Sequence, residues 1–199
     1  MSKIIDYYLT PSSPWTYLGH ERLLRIAAKA GAAIRPKPVD YGRIFPLSGG
    51  LPLKQRAAQR QAYRFSELKR WRTHLGLPLT LEPKYFPVDA NPAARLLVAV
   101  LPQGEANSMR LAGALLRACW AEERDIADAD SLAEIASAAG FDGHALLTAS
   151  RGADVAAAYD TLTDEAVALQ VFGAPTFAYQ GELFWGQDRL DFLERALQA

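Results

Sequence analysis

One cysteine, Cys119, is all the thiol chemistry this 199-residue chain carries. That excludes an intramolecular disulfide framework, and it excludes dithiol exchange through a Cys-x-x-Cys pair. An excess of either charge is also missing. Lysine plus arginine come to 22, as do aspartate plus glutamate, and a chain without surplus positive charge is not expected to bind nucleic acid generally. No apolar run reaches the ~18 residues that suggest a membrane span, so no membrane partner is expected. The start, Met1 to Asp6, lacks the pattern of a secretory leader and points to a cytoplasmic protein. His20, His74 and His144 do not have metal-ligand spacing, so no metal is expected. Gly49-Gly50 does not form a phosphate loop, and Ser12-Ser13 is not a G-x-S-x-G elbow.

What is present is a hydrophobic half, enough for one large domain or two small ones sharing a core. The apolar run Ile4 to Leu9 reads as a buried first strand, broken by P-S-S-P at Pro11 to Pro14. A helical pattern follows, with Tyr17, Leu18, Leu23, Leu24, Ile26 and Ala27 at i, i+3, i+4 spacing. Ser13 is a good N-cap, and Pro14 suits the first helical position, where its missing N–H would have no partner anyway. The turn thus offers a hydroxyl, free backbone N–H groups and the positive end of a helix dipole, a combination that attracts anions.

Further along, Ala32 to Val39 predicts a second strand, placed at an edge by its prolines. Asp40 to Pro52 reads as loop, with Gly49, Gly50 and two prolines. Lys54 to Leu75 predicts a helix with Tyr63, Leu68, Trp71 and Leu75 facing inward, ended by Gly76 and Pro78. Leu79 to Pro92 is a long irregular segment, of a length often functional in compact domains. An alanine-rich, almost wholly helical block runs from Pro92 to Gln170. Thr176 to Tyr179 and Glu182 to Trp185 predict a hairpin turning at Gln180-Gly181, and Gly186 to Leu197 a closing helix. This order is that of a thioredoxin-like α/β domain with a large helical insertion. Pro175 then falls where such folds keep a cis-proline beside the reactive turn.

Three segments, D-Y-Y-L-T-P-S-S-P-W-T-Y-L from Asp6, F-G-A-P-T-F from Phe172 and F-W-G-Q-D-R-L-D-F-L from Phe184, resemble 2-hydroxychromene-2-carboxylate isomerase. That family is glutathione-dependent, DsbA-like and close to kappa-class glutathione transferases. The resemblance implies a thioredoxin-like domain at 1–45 and 170–199, a helical domain at 46–169, bound glutathione, a small aromatic carboxylate substrate and a homodimer. It puts the catalytic serine at Ser13. It gives glutathione contacts to Ser13, Trp15, Ala174, Pro175, Trp185, Gly186, Gln187 and Asp188, and substrate contacts to Lys54 and Tyr85. The chain departs from the pattern at Leu9-Thr10, where Phe-Asp is common. It departs again in the Gly49 to Arg56 loop, where an asparagine is missing, and at Pro87-Val88-Asp89, where Pro-Val-Asn is common.

The residues support this chemistry. S-P-W-T, Ser13 to Thr16, stands where redox relatives carry C-x-x-C, so a thiol must come from outside, and glutathione supplies one. An unperturbed thiol titrates near ~8.5. A helix start stabilises an adjacent anion by roughly 0.3–1 kcal/mol, up to ~2 when partly buried, and a hydrogen bond to a charged group contributes about 1.5–3 kcal/mol. At about 1.36 kcal/mol per pKa unit, the thiol falls by roughly one to three units before desolvation. Asp188 suits the glutathione amino group, and Gln187 with the nearby helix N–H groups its α-carboxylate. Arg56, Arg60 and Arg64 line one helix face, ordinarily a solvated stripe but able to attract a carboxylate. Cys119, in L-L-R-A-C-W, is read as a core residue. Two rival readings use the same groups: glutathione transfer or peroxide reduction, and a glutathione-binding relative without catalysis.

Overall fold

In a computed structural model, which describes residues 2–198, the first strand is β1, Ile4–Leu9. Ile5, Tyr7, Tyr8 and Leu9 are all fully buried, which marks a central strand covered on both faces. The sheet order is β2-β1-β3-β4, with β2 at Ala33–Pro38, β3 at Thr176–Tyr179 and β4 at Glu182–Trp185. β2 runs parallel to β1 after the crossover helix α1, Pro14–Ala30, while β3 and β4 add antiparallel. Pro36 and Pro38 therefore lie on an edge strand, as expected, where a missing N–H is tolerated. Gln180 and Gly181 both take positive φ, 50° and 84°, the turn whose twist matches a two-residue hairpin.

Tyr7 faces Phe177 across β1 and β3, their rings stacked at 5.4 Å. Such pairs hold a sheet in register through contact beyond area burial. The main core joins this sheet to α1 and to the helical insertion, where Trp120, Leu96, Leu111 and Leu115 are fully buried. Each large apolar side chain buried there contributes roughly 1.5–3 kcal/mol relative to exposure. The insertion contains α3 (Ala58–Leu75), α4 (Asn91–Val100), α5 (Glu105–Trp120), α6 (Ala129–Ala138), α7 (Gly143–Ser150) and α8 (Ala153–Ala168). The chain closes with α9, Leu190–Gln198. No described helix is long and apolar enough to cross a membrane.

Three expectations need correction. The helix expected from Lys54 begins at Ala58, because Lys54 belongs to a separate 3-10 turn, Leu53–Gln55, and Arg56 and Ala57 turn the backbone out of helix with ψ of 149° and 142°. Tyr41–Ser48 is a helix, here α2, rather than loop. The Asp40 carboxylate caps it by accepting the Gly42 N–H at 2.7 Å, and Tyr41 and Ile44 are buried. Capping and burial outweigh Pro46, which costs one hydrogen bond in a helix of only two turns. Tyr63 does not face inward. It is 62% exposed, and the buried position beside it belongs to Arg64. Arg64, Leu68, Trp71 and Leu75 share the packed side of α3, and Tyr63 is one residue, ~100° of helix, off that side.

Candidate functional site around Ser13

Ser13 sits at the mouth of α1 with extended backbone, φ −85° and ψ 123°. Its Oγ accepts the Thr16 N–H at 3.2 Å and donates to the Ala174 carbonyl at 3.4 Å. The Trp15 and Ala174 N–H groups have no acceptor among the described residues. The first is a normal orphan of a helix start. The second belongs to the residue before Pro175, whose peptide bond is cis. The Ser13 hydroxyl, where β1 runs into α1, thus touches the turn before β3, and each segment carries a free backbone donor.

The cis-proline turn is held from below. The Gly173 carbonyl accepts from the Tyr41 hydroxyl at 2.9 Å and from the Thr176 hydroxyl at 2.6 Å. The Pro175 carbonyl accepts the Gly186 N–H at 2.8 Å, which fastens the turn to the end of β4. Gly173 is required by close approach, since a Cβ there would lie 2.3 Å from the Trp185 indole nitrogen. Trp185 is 51% exposed, and its ring meets that of Phe172 at 4.7 Å. An apolar aromatic shoulder therefore flanks the polar turn.

The structure thus brings Ser13, Ala174, Pro175, Trp185 and Gly186 into one connected group, with Trp15 on the first turn of α1. Asp188 follows on the short 3-10 turn Gln187–Arg189, exposed and paired with Arg189 at 2.9 Å. Gln187 is anchored through its oxygens. It is 2% exposed, and both its side-chain and backbone oxygens accept from Arg22, at 2.8 and 3.1 Å. Arg22 also reaches Asp191 at 3.1 Å, so Gln187 acts as a latch between α1 and α9. Lys54 is exposed on a 3-10 turn and Tyr85 is on the irregular segment before α4, and neither hydrogen-bonds to Ser13 or Ala174. Tyr85 is 39% exposed and lies under the Lys84 ammonium, 4.9 Å from its ring centre.

Tyr41 and Arg22 were not foreseen. Tyr41 lay in a stretch read as loop, and the partners of Arg22 are 165 and 169 residues away, beyond any local pattern. A cavity of about 390 Å³ opens beside Tyr17, His20, Met109 and Pro78, and neither Ser13 nor Ala174 lines it. Burial lowers the pKa of its histidine, His20, with Glu21 and the Met109 carbonyl opposing.

Residues 4–198 match the family described as DSBA-like thioredoxin domain. The chain belongs to the DsbA-like family. Within it, the chain is 29% identical over 198 residues to 2-hydroxychromene-2-carboxylate isomerase of Sphingobium xenophagum, covering 99% of each. It is 31% identical to the protein of that name from Pseudomonas putida, covering 98% of this chain and 94% of the other. A solved 2-hydroxychromene-2-carboxylate isomerase superposes with a TM-score of 0.83 at 28% identity, covering 98% of this chain and 94% of that one. These likenesses support an isomerase built on the DsbA-like fold.

Proposed function

We propose that the protein is a glutathione-dependent isomerase interconverting 2-hydroxychromene-2-carboxylate, or a close aromatic analogue, with its trans-o-hydroxybenzylidenepyruvate isomer. The observation that carries the reading is the Ser13 turn: a hydroxyl on a helix start, pressed against the Ala174 carbonyl, in a segment with no thiol of its own. The likeness to proteins named for that isomerisation supplies the substrate class.

The residues present fit the tripeptide. The unpaired Ala174 N–H, with the Ala174 carbonyl once the Ser13 hydroxyl turns away, suits an extended cysteinyl backbone, and the exposed Asp188 carboxylate suits an ammonium group. Trp185 and Phe172 offer apolar surface beside them. Arg22 holds Gln187 by its oxygens and leaves the Nε2 amide protons as donors for the tripeptide's α-carboxylate. When bound, glutathione supplies a nucleophilic thiolate that lets a conjugated double bond become single, rotate and re-form, with no net oxidation and no thiol consumed.

The rest falls to the chain. A serine hydroxyl has one proton to donate and two lone pairs. Ser13 can keep accepting the Thr16 N–H while turning its proton from Ala174 to an anionic sulfur. The 3.4 Å length of its present bond to Ala174 makes that exchange inexpensive. The α1 dipole adds to the same anion. Ser13 therefore stabilises a nucleophile without becoming one.

The test is equilibration of chromene and benzylidenepyruvate by purified protein with glutathione. Acceleration over buffer with total thiol unchanged is expected. A rate equal to buffer refutes the reading, and stoichiometric thiol loss replaces it with glutathione transfer.

A further inference from the structure

Between Asp40 and Glu67 the chain has no acidic residue but carries Arg43, Lys54, Arg56, Arg60 and Arg64. Arg43 reaches across to Asp160 and Asp164. The other four have no carboxylate within ion-pair distance among the described residues, whereas Arg22, Arg35, Arg117 and Arg124 each hold one. Arg64 is the extreme case, with 8% of its surface exposed. Its guanidinium makes no hydrogen bond, and Nη2 is wholly buried without an acceptor. Burial, reinforced by the nearby charge of Arg56, lowers its pKa to about 10.

Aromatic rings surround this cation. The Phe86 centroid is 5.3 Å from the guanidinium carbon and that of Trp120 is 5.8 Å away. Cation–π attraction offsets part of the burial cost, but it leaves the N–H donors unanswered. Trp120 Nε1 is also buried without an acceptor. Two unanswered donors, one of them on a cation, fit a ligand that brings acceptors and a negative charge. The flanking rings suit a flat, apolar body. Phe86 is half-buried and its chain neighbour Tyr85 is exposed.

We propose that Arg64 is the receptor for the carboxylate of an aromatic acid, with Phe86 and Trp120 bordering the acid's ring and Lys54 and Arg56 drawing it in. A guanidinium edge matches a carboxylate with two parallel hydrogen bonds. This deepens the isomerase reading by assigning its substrate's acid group, and rests on that reading only for which acid is bound. α3 packs on α1, so the receptor and the Ser13 turn belong to elements in direct contact.

The probe is trans-cinnamate, a flat aromatic acid, compared by calorimetry with its methyl ester and with inorganic phosphate. Wild-type protein should bind cinnamate and discriminate against both others. Arg64→Met should weaken cinnamate binding roughly ten- to a hundredfold, the size of a lost charge-assisted hydrogen bond, and leave ester binding unchanged. Arg64→Lys should fall between, keeping the charge but not the fork. Equal wild-type affinity for acid and ester overturns the proposal, as does phosphate binding as tight as cinnamate. So does a folded Arg64→Met that binds cinnamate like wild type, even if its melting temperature drops, because the arginine would then only tie α3 to α5. Should Arg64→Met not fold, unchanged cinnamate affinity in Arg64→Lys overturns it. Arg64-dependent cinnamate binding without isomerisation would sink the isomerase reading alone. Isomerisation with Arg64-independent binding would sink this proposal alone.

Discussion

Replacing Ser13 separates two roles that one oxygen plays. As a cap, Oγ accepts the Thr16 N–H at 3.2 Å. Losing it to alanine costs about 0.5–2 kcal/mol, and each kcal/mol lowers the melting temperature of a domain this size by about 2–4 °C. The bond to Ala174, at 3.4 Å, is too long to add much. As a donor to a thiolate, the same oxygen contributes about 1.5–3 kcal/mol. That loss raises the bound thiol's pKa by roughly one to two units, leaving about ten- to a hundredfold less thiolate near neutral pH. Glycine is nearly as good a cap as serine, within a few tenths of a kcal/mol. Ser13→Gly should therefore melt close to wild type yet lose as much thiolate as Ser13→Ala. The assay is titration of thiolate absorbance in the ultraviolet with saturating glutathione, run on both variants beside a thermal melt. If the apparent thiol pKa stays at its wild-type value in a folded Ser13→Gly, the hydroxyl is a cap alone and the proposed role for Ser13 is withdrawn.

Other groups give sharper single readouts. Burial lowers the His20 pKa from 6.5 in the folded state, so below that pH the unfolded chain binds more protons. Stability should rise with pH up to about 6.5 and fall on acidification below it; His20→Gln should flatten that slope in urea midpoints, and an identical slope would clear His20 of any part in it. Cys119 is 3% exposed, and burial pushes its thiol up to about 12; an aromatic disulfide reagent should find no reactive thiol in the native protein and one in denaturant, and rapid native labelling would contradict the packing of α5. Asp188 is exposed and pairs only with its neighbour Arg189, so Asp188→Ala should leave the melting temperature within about 1 °C, as for most surface changes, while weakening glutathione binding. Unchanged affinity would remove Asp188 from the glutathione site.

The parts of the fold that were legible in the sequence are those specified by neighbours. Ser13-Pro14 opens α1 at its first residue. Gln180-Gly181 sets the hairpin, and the mostly apolar run of β1 announces a buried strand. α2 was not legible because its proline and two following glycines argue for a loop locally. The Asp40 cap and the burial of Tyr41 and Ile44 decide the matter through contact with the rest of the molecule. Propensity is the weaker influence whenever a short segment finds a surface to cover.

The candidate site divides along the same line. Ser13, Ala174 and Trp185 stand out because each sits in a compact motif whose spacing is informative, and the structure joins them through contacts made by their immediate neighbours. What supports them is invisible locally. Tyr41 reaches Gly173 across 132 residues, and Arg22 reaches Gln187 across 165, so the contacts that fix Gly173 and Gln187 in place lie beyond any local pattern. Arg64 misleads for a different reason. Hydrophobic periodicity ranks Tyr63 above it, yet an arginine carries a long apolar stem and a planar head that stacks on rings. On α3 the aromatic residue turns outward and the cation inward, between Phe86 and Trp120. An arrangement that local rules disfavour, kept without a carboxylate to neutralise it, is where function is to be sought.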